Sequence, residues 1–83
     1  MTDSEMRIKR AIYRANHRGT KELDILLGRF ADAEASGMNP AELAAFEELL
    51  ALPDPQIDGW IKGASAPPGI EAIIGRIRHH HGL

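Results

Sequence analysis

Apolar residues recur three and four positions apart in five stretches of the chain: Ile8, Ala11, Ile12 and Ala15; Leu23, Leu26, Leu27 and Phe30; Leu43, Phe46, Leu49 and Leu50; Ile57, Trp60 and Ile61; and Ile70, Ile73, Ile74 and Ile77. This is the period of an amphipathic helix, and the strict alternation of a half-buried strand is essentially absent. Punctuation fits the same reading. Thr2 with Glu5 predicts a capping box opening a helix over about residues 3 to 17, stopped by Gly19. Thr20 predicts the cap of a second helix running to about Ala35, with Glu22 and Asp24 in the first turn, where the helix dipole favours negative charge. Asn39-Pro40-Ala41-Glu42 joins a capping side chain, a first-turn proline and a reciprocal Glu, and starts a third. Pro53 ends that helix, Asp54 is expected to cap a short fourth one opened by Pro55, and a fifth reaches roughly Arg78. The expectation is an all-α fold: a compact single-domain bundle of five short helices over residues 1–83, joined by short loops.

Composition narrows what such a bundle does. With 83 residues the core is small, so each large apolar side chain matters. There is no cysteine, which excludes disulfides, thiolate catalysis and thiolate-bound zinc and leaves stability to helix packing. Ten Lys and Arg against twelve Asp and Glu give a formal charge of -2 and a pI near 6.0, without the positive excess that drives binding to a phosphate backbone. No apolar run approaches a membrane span, and the N-terminus shows neither a signal core nor an Arg-rich transit segment. A cytoplasmic bacterial protein is expected, with a mature organellar protein as the second choice.

The segment Arg18-Gly19-Thr20-Lys21-Glu22-Leu23-Asp24 carries more than a helix junction requires. Glycine suits the positive φ of a helix end; the two charges beside it read either as a surface ion pair with a good helix start, or as a recognition surface with Arg18 as a donor fork, Gly19 as bare backbone and Glu22 as acceptor. Lys21 and Asp24 flank the junction. Tyr13 and Arg14 lie about one turn before it and extend the same face. Trp60, spaced with Ile57 and Ile61, is expected in the core. His79, His80 and His81 point about 100° apart on a helix, which does not gather ligands onto a metal, and they are expected to form a solvated tail. His17 lacks a companion nucleophile or carboxylate for acid–base work. Gly28 and Gly75 inside helices point to close packing or partner contact.

Arg18, Gly19 and Glu22 form an Arg-Gly-x-x-Glu motif, with Tyr13-Arg14 before it, Leu23-Asp24-Ile25-Leu26-Leu27-Gly28-Arg29-Phe30 after it, and Asp54-Pro55-Gln56-Ile57-Asp58-Gly59-Trp60-Ile61-Lys62-Gly63 further on. Two motifs in this order within one short helical chain resemble the FAD assembly factor family of succinate dehydrogenase, over roughly residues 8 to 78. Tyr13 and His17 stand where relatives often carry Trp and a basic residue, and Gly59 precedes the Trp. The resemblance implies a non-catalytic, chaperone-like factor that binds the flavoprotein subunit of succinate dehydrogenase, and by extension that of fumarate reductase, and promotes covalent flavinylation. It assigns Arg18, Gly19 and Glu22 to partner binding, with Tyr13, Arg14, Lys21 and Asp24 secondary. No cofactor is expected to be held stably by this chain, since the FAD belongs to the client, and a monomer is expected. The alternative is a regulatory protein-interaction module, antitoxin-like and unrelated to flavin attachment. A helix-turn-helix DNA binder ranks last, because Glu22 and Asp24 would face phosphates.

Overall fold

The computed structural model describes residues 2–83, and its regular secondary structure among them is entirely helical. Helix α1 spans Asp3–Asn16, α2 Lys21–Glu34, α3 Pro40–Leu50, α4 Asp54–Ile61 and α5 Pro68–His80, with a single 3-10 turn at Ala35–Gly37 tightening the end of α2. Start signals operate with differing completeness. Asn39 and Glu42 form both halves of a capping box, the Glu42 amide donating to Asn39 Oδ1 at 2.8 Å and the Asn39 amide to Glu42 Oε1 at 2.9 Å. Thr2 supplies the first half of its box, its Oγ1 accepting from the Glu5 amide at 3.2 Å. Thr20 occupies the cap position of α2 without a side-chain cap bond.

Two boundaries differ from expectation. Asp54 is not the cap of α4: Pro53 holds the extended cap position and Asp54 is the first helical residue, because its carboxylate is engaged by a side chain from another part of the chain. Helix α5 also runs past Arg78 to His80, and the expected solvated tail is folded. His81 Nε2 lies 2.7 Å from the Leu26 carbonyl oxygen, which only accepts, so this nitrogen carries the proton. His80 Nδ1 lies 3.0 Å from Glu34 Oε2, and its ring meets Phe30 edge-on with centroids 5.8 Å apart. Gly82, at φ 73, turns the backbone so that the Leu83 amide donates to the Arg78 carbonyl at 2.8 Å, satisfying a helix-end acceptor. Only His79 of the three histidines is left without such a tie to α2.

One apolar cluster unites all five helices. Phe30, Phe46, Leu27, Leu49, Ile57, Ile61 and Ile77 are its largest fully buried members, and no polar or charged residue among those described is buried with them. Phe30 and Phe46 pack edge to face with centroids 5.5 Å apart, the geometry aromatic quadrupoles favour. α1 lies along α2, α3 against α1 and α5, and α4 against α5. Arg76 ties α5 to both neighbours, its guanidinium 2.9 Å from Glu34 and 2.9 Å from Glu42. Trp60 is half-buried at the cluster's edge rather than inside it, because Ile57 and Ile61 alone fill the gap facing the core. At Gly28 α2 packs tightly against the end of α1: a Cβ there would overlap Asn16 Oδ1, and Asn16 is held by its amide donating to the Ile12 carbonyl at 2.8 Å and Asp32 Oδ1 at 3.2 Å. A Cβ on Gly75 meets open space.

The histidine contacts generate a test. Deleting residues 79–83 removes the His81 bond to α2, the His80–Glu34 contact and cover over Phe30, and should destabilise the fold by about 1–3 kcal/mol, the scale of one or two lost hydrogen bonds. Thermal unfolding followed by circular dichroism checks this; an unchanged midpoint would return these residues to a dispensable tail.

Candidate functional site

The Arg18–Gly19 junction lies where the end of α1, the start of α2 and the corner between α3 and α4 meet. Gly19 has φ 95 and a Cβ built on it would meet nothing within 4 Å. Its backbone is therefore constrained by conformation, not by crowding, and it faces solvent. A residue with a Cβ would be strained in this left-handed region even though space is free.

Arg18 differs from the expected exposed donor fork. Its side chain is 11% exposed and runs inward across the junction. Nε donates to Asp54 Oδ1 at 2.9 Å, NH2 to the Leu52 carbonyl at 2.8 Å, and NH1 to the Leu50 carbonyl. NH2 also lies 2.7 Å from Asp54 Oδ1. One planar guanidinium thus satisfies the carboxylate that begins α4 and two carbonyls around the end of α3, where helix geometry leaves acceptors without partners. The reason is tertiary: the helix packing places the turn at Gly19 beside the α3–α4 corner, and a five-donor fork fits its converging acceptors. Asp24 completes the clamp from the other side, its Oδ1 accepting from the Arg18 amide at 2.6 Å. Asp24 therefore acts within the turn, tying the start of α2 back to the backbone of Arg18.

The remaining predicted residues stand outward around the clamp. Tyr13 is 65% exposed, with its ring stacked on His17 at a centroid distance of 4.1 Å and an interplanar angle of 18°. His17 Nδ1 lies 2.7 Å from the Tyr13 carbonyl, so that nitrogen donates and the stack is fixed. Arg14 and Lys21 are exposed. Glu22 does not pair with Arg18, whose fork is already occupied; its side chain is 59% exposed and 3.8 Å from Lys62, which lies closer, 3.0 Å, to Asp58. Hydrogen bonding to Asp58, then the fields of Asp58 and Glu22, hold the Lys62 ammonium above the ordinary lysine range. Two shallow clefts flank Gly19. A cleft of about 430 Å³ is lined by Tyr13, Arg14, His17, Arg18, Leu50 and Ala51; a notch of about 350 Å³, mostly apolar inside, is lined by Thr20, Glu22, Leu23, Asp54, Pro55 and Asp58. Among the described residues, no three His, Cys, Asp or Glu side chains converge as a metal site would require, and no helix is long and apolar enough to cross a membrane.

Sequence reasoning missed Asp54 and the Leu50 and Leu52 carbonyls as partners of the motif. The available signal was the occurrence of both motifs in one chain: Arg18 of the first is bonded to Asp54 of the second, so together they build one feature.

Two outcomes separate clamp from surface. Arg18→Ala leaves Asp54 and two carbonyls without their donors and should cost about 2–4 kcal/mol of stability, whereas Glu22→Ala, removing a long exposed contact, should leave the melting temperature essentially unchanged; equal behaviour in thermal unfolding would refute the division. A further pair lies beside the cleft, where Arg7 NH2 is 2.5 Å from Glu47 Oε1. The Arg7 hydrogen bond, against a smaller opposing effect of burial and with help from the fields of Arg7, Arg10 and Arg14, holds the Glu47 carboxyl below the usual carboxylate range. A carboxylate whose pKa is depressed by folding contributes stability above its unfolded pKa and loses it as pH falls through the folded one. Glu47→Gln should therefore be less stable than wild type at neutral pH, with the gap closing below the ordinary carboxylate range; a gap constant with pH would show that the charge is irrelevant.

Comparison with known proteins finds relatives of the helical domain as a whole. A family described as Sdh5, flavinator of succinate dehydrogenase, matches residues 9–81. The FAD assembly factor SdhE of Acetobacter pasteurianus is 47% identical over 57 residues, covering 69% of this chain and 52% of that protein. The mitochondrial succinate dehydrogenase assembly factor 2 of Dictyostelium discoideum is 35% identical over 74 residues, 88% of this chain and 52% of that protein. With the FAD assembly factor SdhE of Acinetobacter baylyi the identity is 34% over 77 residues, 89% of each. The chain thus spans about half the length of the first two relatives and most of the third. No solved structure matches it. The family match covers both motifs and the helices that bring them together, and on that ground the chain belongs to the succinate dehydrogenase flavinator family.

Proposed function

We propose that this chain is a non-catalytic assembly factor that binds the flavoprotein subunit of succinate dehydrogenase, and the related subunit of fumarate reductase, and promotes covalent attachment of FAD to it. The observation that carries the reading is the exposed Gly19 turn, held at φ 95 with open space above it and clamped from behind by Arg18. Such a turn offers bare backbone in a fixed shape, flanked by the Tyr13–His17 stack on one side and Glu22 on the other. Family membership supports succinate dehydrogenase as the source of the client. The role follows from what the relatives are called, FAD assembly factor and succinate dehydrogenase assembly factor.

In this reading the chemistry belongs to the client. The factor binds a client conformation in which the client's own groups face the flavin, and it shifts the population toward that conformation by its differential affinity. Gly19, Tyr13, Glu22 and the exposed neighbours Arg14 and Lys21 form the contact surface; Arg18 and Asp24 hold it in shape. The protein works as a monomer in the bacterial cytoplasm, where the apo flavoprotein is made.

Tyr13→Ala and Glu22→Ala should fold normally and weaken binding to the apo flavoprotein subunit by about 2–5 kcal/mol where the lost group leaves a desolvated partner unpaired. Gly19→Leu should obstruct backbone approach and add about 1–3 kcal/mol of turn strain. Calorimetric binding to the apo subunit and in-gel fluorescence of covalently attached FAD read both steps; folded variants that bind and flavinylate the client at the wild-type rate would overturn the assignment.

A further inference from the structure

Charge is segregated along the chain in a way the junction alone does not use. Residues 2–21 hold six Lys and Arg against two acids, and residues 22–83 hold four against ten. Most of this positive charge lies on α1. Arg7 is paired with Glu47 and Arg18 with Asp54, while Arg10 and Arg14 are exposed and form no ion pair among the described residues. Their fields overlap, since both help to depress Glu47.

Arg10 and Arg14 share a trough. A depression of about 270 Å³ lined by Arg7, Arg10, Ala11, Arg14, Glu47 and Leu50 continues, through Arg14 and Leu50, into the cleft beside Tyr13 and His17. From Arg7 to His17 the trough follows roughly 15 Å of helix, the length of about five residues of extended chain. Arg10 and Arg14 are one turn apart, with Cβ atoms about 5–6 Å from each other. In an extended strand, side chains two positions apart lie on one face at roughly 6.6 Å. These spacings match. The opposite wall is formed by Glu47 and the C-terminal end of α3, where the helix dipole is negative; a dense polyanion would be repelled there, whereas a strand brings both carboxylates and amide donors.

We propose that the α1–α3 trough receives an extended acidic-x-acidic segment of the client flavoprotein, its two carboxylates paired with Arg10 and Arg14. This rests on the client assigned above and adds the chemistry of the docking segment. Because the two guanidiniums are exposed, their first effect is on encounter: opposite charge raises association rates and makes them fall with salt.

The test measures stopped-flow association of the full chain with the apo flavoprotein subunit over a series of sodium chloride concentrations. Wild type is compared with the Arg10→Glu/Arg14→Glu double variant, the milder Arg10→Gln/Arg14→Gln pair, and Arg29→Glu, a control exposed on α2 outside the trough. Circular dichroism confirms folding, and the Gln pair carries the test if the Glu pair misfolds. The expected result is association slowed at least tenfold at low salt in the double reversal, a flattened salt dependence in both pairs, and a control within twofold of wild type. Hydrogen exchange on the client should show protection of an acidic-x-acidic segment in the wild-type complex that both pairs lose. A folded double variant with wild-type rate and salt dependence, or protection confined to segments without paired acids, would overturn the docking proposal while leaving the client assignment standing. Wild type that fails to bind the flavoprotein at all would overturn both.

Discussion

The Arg18 guanidinium is the contact on which the arrangement of the rest depends. It sits between Asp54 and the carbonyls of Leu50 and Leu52, so a single side chain fixes the turn between α1 and α2 against the corner between α3 and α4. The core of this protein is wholly apolar among the described residues. Apolar contact is non-directional and tolerates small slides of one helix on another. Directional restraint therefore comes from the margins: the Arg18 fork at one place, and Arg76 with Glu34 and Glu42, joined by His80 and His81, at another. These margins determine how the two halves of the chain face each other, and the exposed turn is built where they meet.

The helices were legible in the sequence because their signals are local. Three-four spacing placed every buried Leu, Ile and Phe of α3 and α5, and Asn39 with Glu42 forecast a cap that forms in full. The inward course of Arg18 was not legible, since its partners lie more than thirty positions away and nothing near Gly19 encodes the α3–α4 corner. Asp54 misled for the same reason: next to Pro55 it has the features of a cap, but a distant guanidinium competes for its carboxylate and Pro53 takes the cap position. The C-terminal histidines read as a solvated tail because they follow the last apolar turn of the helix, yet α5 continues far enough to bring His80 to Glu34 and His81 to Leu26. Trp60 had core spacing but sits at the edge, where Ile57 and Ile61 already fill the interior.

Arg-Gly-x-x-Glu is thus a motif of divided labour. Its Arg turns inward to the α3–α4 corner, its Gly supplies a positive φ, and its Glu stands exposed. A sequence pattern alone cannot separate these roles, because all three residues stand in the same short string and nothing in it says which side chain turns inward. Burial separates them: an 11% exposed guanidinium with three acceptor groups and a 59% exposed carboxylate have different energetic weights in folding and in binding.

A helper that acts by shifting a client's conformational population gains only from differential affinity, and a pliant surface would follow the client into either conformation and discriminate poorly. Rigidity at the contact surface is therefore part of the proposed mechanism. In a chain of 83 residues with no disulfide, it has to come from hydrogen bonds that leave the outer atoms free. The Gly19 turn meets that condition: Arg18 and Asp24, both largely occupied with bonds inside the protein, restrain it from behind, and Gly19 presents backbone with no side chain that could rearrange to suit the wrong conformation.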